Sequence, residues 1–559
     1  MMNDHQNLLD RAFQLHQSGR VPEALDLYNK VLPWQQNNAQ LLDLIGTANL
    51  YIGQMEQGIG LIQRSLAINP NNPTAHNNIG LALQALKRLD KALESYGNAL
   101  AIKPDFAEAY YNGGNVLREL KRLDQALASY DKALAIKPDF VEAHYNRGTV
   151  LRGLKRLDEA LASYDTALAI NPNYANAHHN RGIALRELKR PDEALASYDK
   201  ALAIKPDFAD VYCNRGVALT DLRRLDEALA DYDKALAIKP NFADAHFSKS
   251  ALLILVGRYL EGWSLYEWRL KQDETKAAYY TFSKPAWRGH EDVQGKKLLI
   301  YAEQGFGDVI QFCRYLPQLH ELGADLIVEV PKRLVTLIST LKCPMSVFAK
   351  GAQLPTFDTY CPMMSLPHIF KTTVETIPAE TPYLFSDAEK VQRWQEKLGS
   401  KDRLRIGLVW SGSKSHKDDF IRSIALERLL PITNLPSMEL HSLQKEYQQA
   451  DFEILKQYPE IRQHQDEFGD FSDTAALIEC MDLVVSVDTS VAHAAGAMGK
   501  PVWILLPFSP DYRWMLDRRD TPWYPTAKLY RQPHFDDWQS VITMVQQDLV
   551  KLTAKIALA

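Results

Sequence analysis

The chain has 559 residues and a formal net charge of −5, with basic and acidic residues interspersed along it. This length predicts two or three domains. The small, mixed charge gives no support for a nucleic-acid partner or a polybasic membrane-binding surface. The first residues contain no apolar segment of a signal peptide, and no later run approaches the roughly 18 apolar residues that span a bilayer. The five cysteines are scattered without a CxxC pair, so we expect a soluble cytoplasmic protein without disulfides or a thiolate zinc site.

Closely similar segments such as LDQALASYDKALAIKPDF and LDEALADYDKALAIKPNF recur every 34 residues in the first half. Small, aromatic and proline positions recur with the same period, and the apolar residues fall at helical spacing. The pattern resembles the tetratricopeptide repeat, a helix-turn-helix unit that buries its apolar face only by stacking on its neighbours. We therefore expect an α superhelix of seven repeats, with a divergent eighth, GRYLEGWSLYEWRLK, as a cap that docks on the next domain.

The first helices of five repeats carry an asparagine at one position: Asn78, Asn112, Asn146, Asn180 and Asn214. These amides could bond a neighbouring helix, which is a purely local role. Alternatively, they could line a concave groove and bond the backbone of an extended peptide, an arrangement that resembles the asparagine ladder of protein O-GlcNAc transferases. Three of these asparagines are followed by arginines: Arg147, Arg181 and Arg215. The arginines are either solvated charges on the helix or side chains that favour acidic peptides.

After about Lys271 the period stops, and buried strands alternate with helical stretches: KLLIYAE, DLIVEV, RIGLVW, MELHSLQ, LVVSVD and VWILLP. This alternation predicts βαβ units with parallel sheets. Because the region is too long for one sheet, we expect two Rossmann-like domains that face each other across a cleft. The expected divisions are 6–277 for the repeats, 278–400 and 401–535 for the two α/β domains, and 536–559 for a helix that crosses back to the first of them.

The first candidate motif, GFGDVIQ, follows the first strand of this half. Asp308 is of a residue type favoured at a helix start, which is a structural explanation for it. Neither G-x-x-x-x-G-K-[ST] nor G-x-G-x-x-G is present, which disfavours a nucleoside triphosphatase or a nicotinamide enzyme. The second motif, VWSGSKSHKDDFIRS, is a polar loop after a strand. It is either a solvated loop or a phosphate site, in which Ser411 and Ser413 donate while Lys414, Lys417 or Arg422 neutralises charge.

The third motif, SVDTSVAHAAGAMGKP, places an acid, two hydroxyls and a histidine within six positions, with Asp488, Thr489 and Ser490 at a predicted helix start. No G-x-S-x-G surrounds Ser490, and residues so close on one helical turn cannot form a triad relay. A metal site lacks a second ligand at the required spacing. Free backbone N–H groups at the helix start predict an anion site, which His493 reaches from one turn inside the helix.

The order and spacing of the three motifs resemble the heptosyltransferase-like glycosyltransferases, which have the GT-B fold of two Rossmann-like domains. The resemblance covers most of residues 297–532. It implies an α/β GT-B half in which Asp308 deprotonates the acceptor. It further implies that the turn at Asp488, Thr489, Ser490 and His493 holds the diphosphate of a nucleotide sugar, and that Lys414, Lys417 or Arg422 assists its departure. Ser490 departs from the usual glycine of that turn.

Repeats do not occur in lipopolysaccharide heptosyltransferases, so the layout resembles repeat-bearing glycosyltransferases such as flagellin-modifying enzymes and protein O-GlcNAc transferase. We therefore expect an inverting, metal-independent glycosyltransferase without a cofactor. Its partners would be a nucleotide-sugar donor and a polypeptide acceptor with a Ser or Thr hydroxyl. Two alternatives remain at this point: a repeat adaptor with a non-catalytic GT-B half, and a sugar-nucleotide epimerase of the same fold.

Overall fold

The computed structural model describes residues 2–272, 282–413, 419–435 and 438–557. The chain divides into two compact units, Met1–Pro206 and Asp207–Ala559, and each is described by itself below. This division falls inside the repeats. The predicted boundary between residues 277 and 278 lies outside the described residues, so the predicted domain limits stay predictions.

The described part of the first unit consists of α-helices that form antiparallel pairs. Successive repeats start 34 residues apart, as Pro73, Ala107 and Val141 show. Their bounds are α1 Met2–Gln17, α2 Val21–Val31, α3 Ala39–Tyr51, α4 Met55–Ile68, α5 Pro73–Ala85, α6 Leu89–Ile102, α7 Ala107–Glu119, α8 Leu123–Ile136, α9 Val141–Gly153, α10 Leu157–Ile170, α11 Ala175–Glu187 and α12 Pro191–Ile204.

In four repeats of this unit, a glycine on the first helix and a tyrosine on the following second helix set the spacing within the repeat. In the repeat of α7 and α8, a Cβ atom on Gly114 would lie 2.7 Å from Cε1 of Tyr130, whose ring is fully buried. Ala126, one turn earlier on α8, is also fully buried. The two helices therefore approach closely because the first presents no side chain where the second presents a ring.

The second unit begins with two further helix pairs and continues into α/β structure. The pairs are α13 Ala209–Asp221, α14 Leu225–Ile238, α15 Ala243–Leu255 and α16 Tyr259–Tyr266. The later helices are α17 Phe306–Phe312, α18 Leu316–Glu321, α19 Val335–Ile338, α20 Leu366–Ile369, α21 Ala388–Leu398, α22 Asp419–Arg422, α23 Leu426–Leu429, α24 Gln449–Gln457, α25 Phe471–Glu479, α26 Ser490–Ala497 and α27 Trp538–Ala557.

Two parallel sheets form the α/β part, as the alternating pattern predicts. The strands are β1 Lys297–Tyr301, β2 Asp325–Val330, β3 Met345–Ala349, β4 Thr359–Pro362, β5 Leu404–Val409, β6 Met438–Ser442, β7 Ile461–Arg462, β8 Leu483–Val487, β9 Val502–Leu506 and β10 Ala527–Arg531. The first sheet has the order β3-β2-β1-β4 and the second the order β10-β9-β8-β5-β6-β7. An array of tetratricopeptide type followed by α/β domains is thus the observed fold class.

Helix α27 packs on the second sheet. Its residues Trp538, Val541 and Leu549 are buried in one core cluster with Ile406 of β5 and Leu483 of β8. Its Gln546 also donates to the carbonyl of Pro431 at 2.9 Å. The prediction that this helix crosses back to the first α/β domain is therefore wrong over the described residues. The helix follows β10 after a short connection, and its apolar face covers the sheet to which β10 belongs.

The last repeat elements contact the α/β part within the second unit. Trp263 of α16 lies edge-on to Phe312 and to Tyr512, at centroid distances of 6.0 and 5.8 Å. Behind it, Arg269 is fully buried and donates to Glu303 at 2.7 Å. Since a buried arginine needs a charged partner, this pair fastens the end of the repeats to the loop after β1. The divergent eighth repeat docks as its aromatics suggested.

No helix among the described residues is long and apolar enough to cross a membrane.

The glycine spacing within a repeat gives a direct test at two adjacent residues. Gly114→Ala places a methyl group against the Tyr130 ring, and we expect it to cost about 1–3 kcal/mol of stability. Gly113→Ala is the matched control, because its Cβ meets no atom within 4 Å and a helical alanine gains up to about 1 kcal/mol over glycine. The midpoint of urea unfolding, followed by helical circular dichroism, measures both. Equal shifts in the two variants would contradict this account of repeat packing.

Candidate functional site

The three sequence motifs all follow the carboxyl ends of central strands. In the second sheet β5 lies between β6 and β8, so the connections after β5 and β8 leave toward opposite sides. The polar loop at Ser411 follows β5, and the turn at Asp488 follows β8. In the first sheet, GFGD follows β1, which lies between β2 and β4. Such reversal points in strand order are where open parallel sheets bind ligands.

Asp308 lies in the first turn of α17, which begins two residues earlier, at Phe306. Its Oδ2 accepts a hydrogen bond from the backbone N–H of Gly305 at 2.8 Å, so the helix-start role expected of this residue is present. Its other oxygen, Oδ1, forms an ion pair with Nη2 of Arg513. One carboxylate thus stabilises the helix start and also binds a cation from the connection between β9 and β10.

The turn after β8 has the predicted form, with α26 beginning at Ser490 and Thr489 preceding it. The hydroxyl of Thr489 lies 3.0 Å from that of Ser486. Asp488 and His493 are 7% and 4% exposed, and Nε2 of His493 lies 3.7 Å from Oδ1 of Asp488. Four of the predicted site residues therefore lie together on one strand-turn-helix.

The first and third motifs meet at Gly307 and His493. A Cβ atom on residue 307 would lie 2.8 Å from Cδ2 and 3.4 Å from Nε2 of the histidine ring. Only glycine leaves room for the ring at this distance, because the neighbouring atoms belong to a buried side chain. The contact places the loop that carries Asp308 against the helix that carries His493.

The middle motif contributes Arg422 to the same region. Its guanidinium occupies the space beside Gly412 and pairs with Asp419 at 3.1 Å. It also acts electrostatically on Asp488. Ser411 is buried, and its Oγ accepts a hydrogen bond from Gln444 at 3.0 Å. The predicted ligands Lys414 and Lys417 lie outside the described residues.

Burial and neighbouring charges shift two ionisable groups of the turn. Burial raises the pKa of Asp488 to about 6, and Asp511 adds to the rise while Arg422 and Arg513 oppose it. Burial also holds the pKa of His493 well below its usual value, with further lowering from Arg513, Arg314 and Arg422. The histidine is therefore neutral at physiological pH, and it can donate one hydrogen bond and accept another.

The segment DYRWMLDRRDTPWY contributes residues to the candidate site that the sequence analysis did not assign. Arg513 binds Asp308, donates to Asp511 at 2.8 Å and also bonds Gln311. Trp514 stacks on the ring of His493 with centroids 5.3 Å apart, and the hydroxyl of Tyr524 lies 2.9 Å from His493 Nδ1. The high density of aromatic and arginine residues in this segment could have indicated a site. Their spacing, however, matches no known catalytic or binding motif.

A residue of the repeats binds the chain just before this segment. Arg223 donates from Nε to the carbonyl of Phe508 at 2.6 Å, and its guanidinium lies 4.4 Å from the Phe508 ring centroid. It stands at the turn position that lysines occupy in four earlier repeats, with the same positive φ. The planar guanidinium can stack and bond at once, which a lysine ammonium cannot do. The end of the repeats is thus part of the structure that positions Arg513.

The asparagines of the repeats bond the preceding repeat. Asn112 donates to Asn77 at 3.0 Å, and Asn146 donates to Asn115 at 2.9 Å. The corresponding donors and acceptors are Asn78 to Thr47 at 3.4 Å and Asn180 to Tyr145 at 3.0 Å. Asn214 occupies the same position on α13 of the second unit. The amide nitrogens of these asparagines therefore bond side chains of the preceding repeat, and not its backbone. A peptide-binding role for the asparagines stays a prediction.

The arginines that follow these asparagines are ion-paired. Arg147 bonds Asp131 and Arg181 bonds Asp165, each at 2.6 Å, and Arg215 bonds Asp231 at 2.7 Å. They are thus neither simply solvated nor uncompensated positive charges. The described residues contain no group of three histidine, cysteine or acidic side chains placed to hold a metal ion.

Comparison with known proteins gives matches to the repeats. Family models described as tetratricopeptide repeat or TPR repeat match residues 73–106, 114–154, 139–207 and 209–242. The helical repeats are tetratricopeptide repeats. Protein FlbA of Caulobacter vibrioides is 27% identical to this chain over 321 residues, which are 53% of this chain and 53% of FlbA. The chain therefore matches about half the length of this curated relative.

Solved tetratricopeptide structures are similar to part of the chain. YrrB, a TPR protein with an unusual peptide-binding site, is 28% identical and covers 34% of this chain and 97% of its own, with a TM-score of 0.31. A tetratricopeptide repeat protein from Parabacteroides merdae is 19% identical and covers 44% of this chain and 98% of its own, with a TM-score of 0.36.

The raised pKa of Asp488 predicts that replacing this residue with asparagine stabilises the folded protein in a pH-dependent way. The folded state binds the Asp488 proton up to a pH of about 6, whereas the unfolded carboxyl, at 3.8, releases it earlier. The stability contribution of this group therefore falls as the pH rises from about 4 to about 6. Asp488→Asn should melt at a higher temperature than the wild type at about pH 7.5, and the difference should vanish near pH 3.5.

Asp520→Asn is the control for this experiment. A hydrogen bond from Arg518 lowers the pKa of the Asp520 carboxyl, so removing its charge should slightly destabilise the protein at neutral pH. The prediction would be contradicted by an Asp488→Asn variant that is less stable than the wild type at neutral pH. That result would show that neighbouring groups stabilise the buried carboxylate by more than its burial costs.

Proposed function

We propose that the protein is an inverting, metal-independent glycosyltransferase that moves a sugar from a nucleotide-sugar donor to a polypeptide hydroxyl. The contact between Gly307 and His493 is the observation that carries this proposal. It brings an acidic residue, Asp308, next to a helix N-terminus that follows the central strand β8. A base on one side and an anion site on the other are what transfer from a diphosphate-linked donor requires.

The acceptor hydroxyl would attack the anomeric carbon while its proton passes to Asp308. The bond between that carbon and the diphosphate oxygen breaks, and the diphosphate leaves with the electron pair. Arg513 forms an ion pair with Asp308 and so holds the carboxylate in position. The backbone N–H groups at the start of α26, together with Arg422, would stabilise the charge that develops on the leaving group. Lys414 and Lys417 would add to this positive charge.

The tetratricopeptide array would recruit the polypeptide acceptor. The amide nitrogens of Asn112 and Asn146 already bond the preceding repeat, so these side chains would offer their carbonyl oxygens to peptide N–H groups. The arginines beside them are paired with aspartates, which removes the argument for a preference for acidic peptides. The similarity to FlbA over 53% of the chain is consistent with a protein that combines repeats with a second functional part.

Asp308→Asn should lower sugar transfer by about 10²- to 10⁴-fold, because it removes the base but keeps the hydrogen bond to Gly305 within reach. The assay uses UDP-, GDP-, ADP-, CMP- and dTDP-linked sugars with a library of Ser- and Thr-containing peptides. Mass spectrometry reads the added sugar under single-turnover conditions. Asp325→Asn, at the exposed start of β2, is the matched control and should retain activity.

Retention of transfer by Asp308→Asn would remove this residue from the role of base. Nucleotide binding without transfer to any peptide would favour the adaptor, in which the α/β half only binds. Conversion of the donor sugar in the absence of peptide would favour the epimerase.

A further inference from the structure

The hydroxyl of Tyr524 is hydrogen-bonded to the side chain of His493 inside the second unit. The distance from the phenolic oxygen to Nδ1 is 2.9 Å, and the tyrosine is fully buried. The tyrosine ring also fills the space beside Gly496, where a Cβ atom would lie 2.5 Å from its Cγ. The glycine on α26 therefore lets the tyrosine approach, and the hydroxyl has a fixed position next to the imidazole.

The direction of this hydrogen bond follows from the other side of the ring. Nε2 of His493 lies 3.7 Å from Oδ1 of Asp488. Asp488 is ionised at neutral pH because its pKa is about 6. A lone pair on Nε2 would face a negative oxygen, whereas an N–H would be attracted to it. The proton of the neutral imidazole therefore belongs on Nε2, and Nδ1 accepts a hydrogen bond from Tyr524.

Neighbouring groups also oppose a doubly protonated imidazole and a ring rotated by 180°. Arg314 lies close enough to act on His493 and donates to the hydroxyl of Tyr383 and to the carbonyl of Trp523. Together with Arg513 and Arg422 it opposes a second proton on the imidazole. Trp514 stacks at an interplanar angle of 25°, and Gly307 lies next to the ring, so rotation is blocked.

We infer that Tyr524 is a positioning residue that fixes His493 as a neutral Nε2–H donor directed toward the turn at Asp488. The orientation of the donor is a property of the folded chain. Its use, donation to a diphosphate oxygen, rests on the proposed function. The general rule is that the hydrogen bond at one imidazole nitrogen decides which nitrogen carries the proton.

Solid-state ¹⁵N spectra of histidine-labelled protein at about pH 8 test the tautomer in the wild type. His493→Asn identifies the signals of this residue among the 15 histidines. We expect a pyridine-type Nδ1 and a pyrrole-type Nε2. A pyrrole-type Nδ1, or two protonated nitrogens, would overturn the inference whatever the protein catalyses.

Tyr524→Phe tests the positioning role, with Tyr530→Phe as the matched control because its hydroxyl bonds Asp548 at 3.0 Å. The Nδ1 signal should change in the first variant and stay unchanged in the second. Binding of inorganic pyrophosphate should weaken about tenfold in Tyr524→Phe only, which is the effect of one misdirected hydrogen bond to a charged group.

The experiment distinguishes a failure of the positioning role of Tyr524 from a failure of the proposed diphosphate site. An unchanged His493 signal in folded Tyr524→Phe would overturn the positioning role. The expected tautomer without pyrophosphate binding by the wild type would leave Tyr524 as the residue that orients His493 and would instead contradict the proposed diphosphate site.

Discussion

The candidate site depends on the absence of a side chain at residue 307. His493 occupies the space that a Cβ atom would need, at 2.8 Å, so the loop after β1 and the helix after β8 can approach only through glycine. This approach also brings Asp308 within reach of Arg513. The buried pair of Arg269 and Glu303 fastens the same loop from the side of the repeats. Backbone proximity at one residue thus sets the positions of the acid, the histidine and the arginine.

Charge compensation is the second constraint on this region. The carboxylates of Asp308 and Asp511 share Arg513, while Arg422 pairs with Asp419 and acts electrostatically on Asp488. Burying several charges is costly unless each has a partner, and this requirement explains why the arginines interleave with the acids. The resulting excess of nearby positive charge adds to burial in keeping His493 neutral.

Periodic patterns made the repeats and the buried strands predictable. The 34-residue lattice gave the helix pairs, and apolar runs gave β1, β2, β5, β6, β8 and β9. Strands β3, β4, β7 and β10 were missed; β4 ends in a proline, and β7 has only two residues. Asp488 and His493 were predicted from local spacing. Arg513 and Tyr524 were not, since their partners lie 205 and 31 positions away and no local pattern encodes those contacts.

The central claim is that the three motifs together form a nucleotide-diphosphate site. A thermal-shift screen of the full chain against UDP, GDP, ADP, CMP and dTDP tests it most directly, because a ligand that binds only the folded state raises the melting temperature. We expect a concentration-dependent rise with one of these nucleotides, and no rise with the same nucleotide in His493→Gln. Unchanged melting with all five nucleotides, or an equal rise in the variant, would contradict the account.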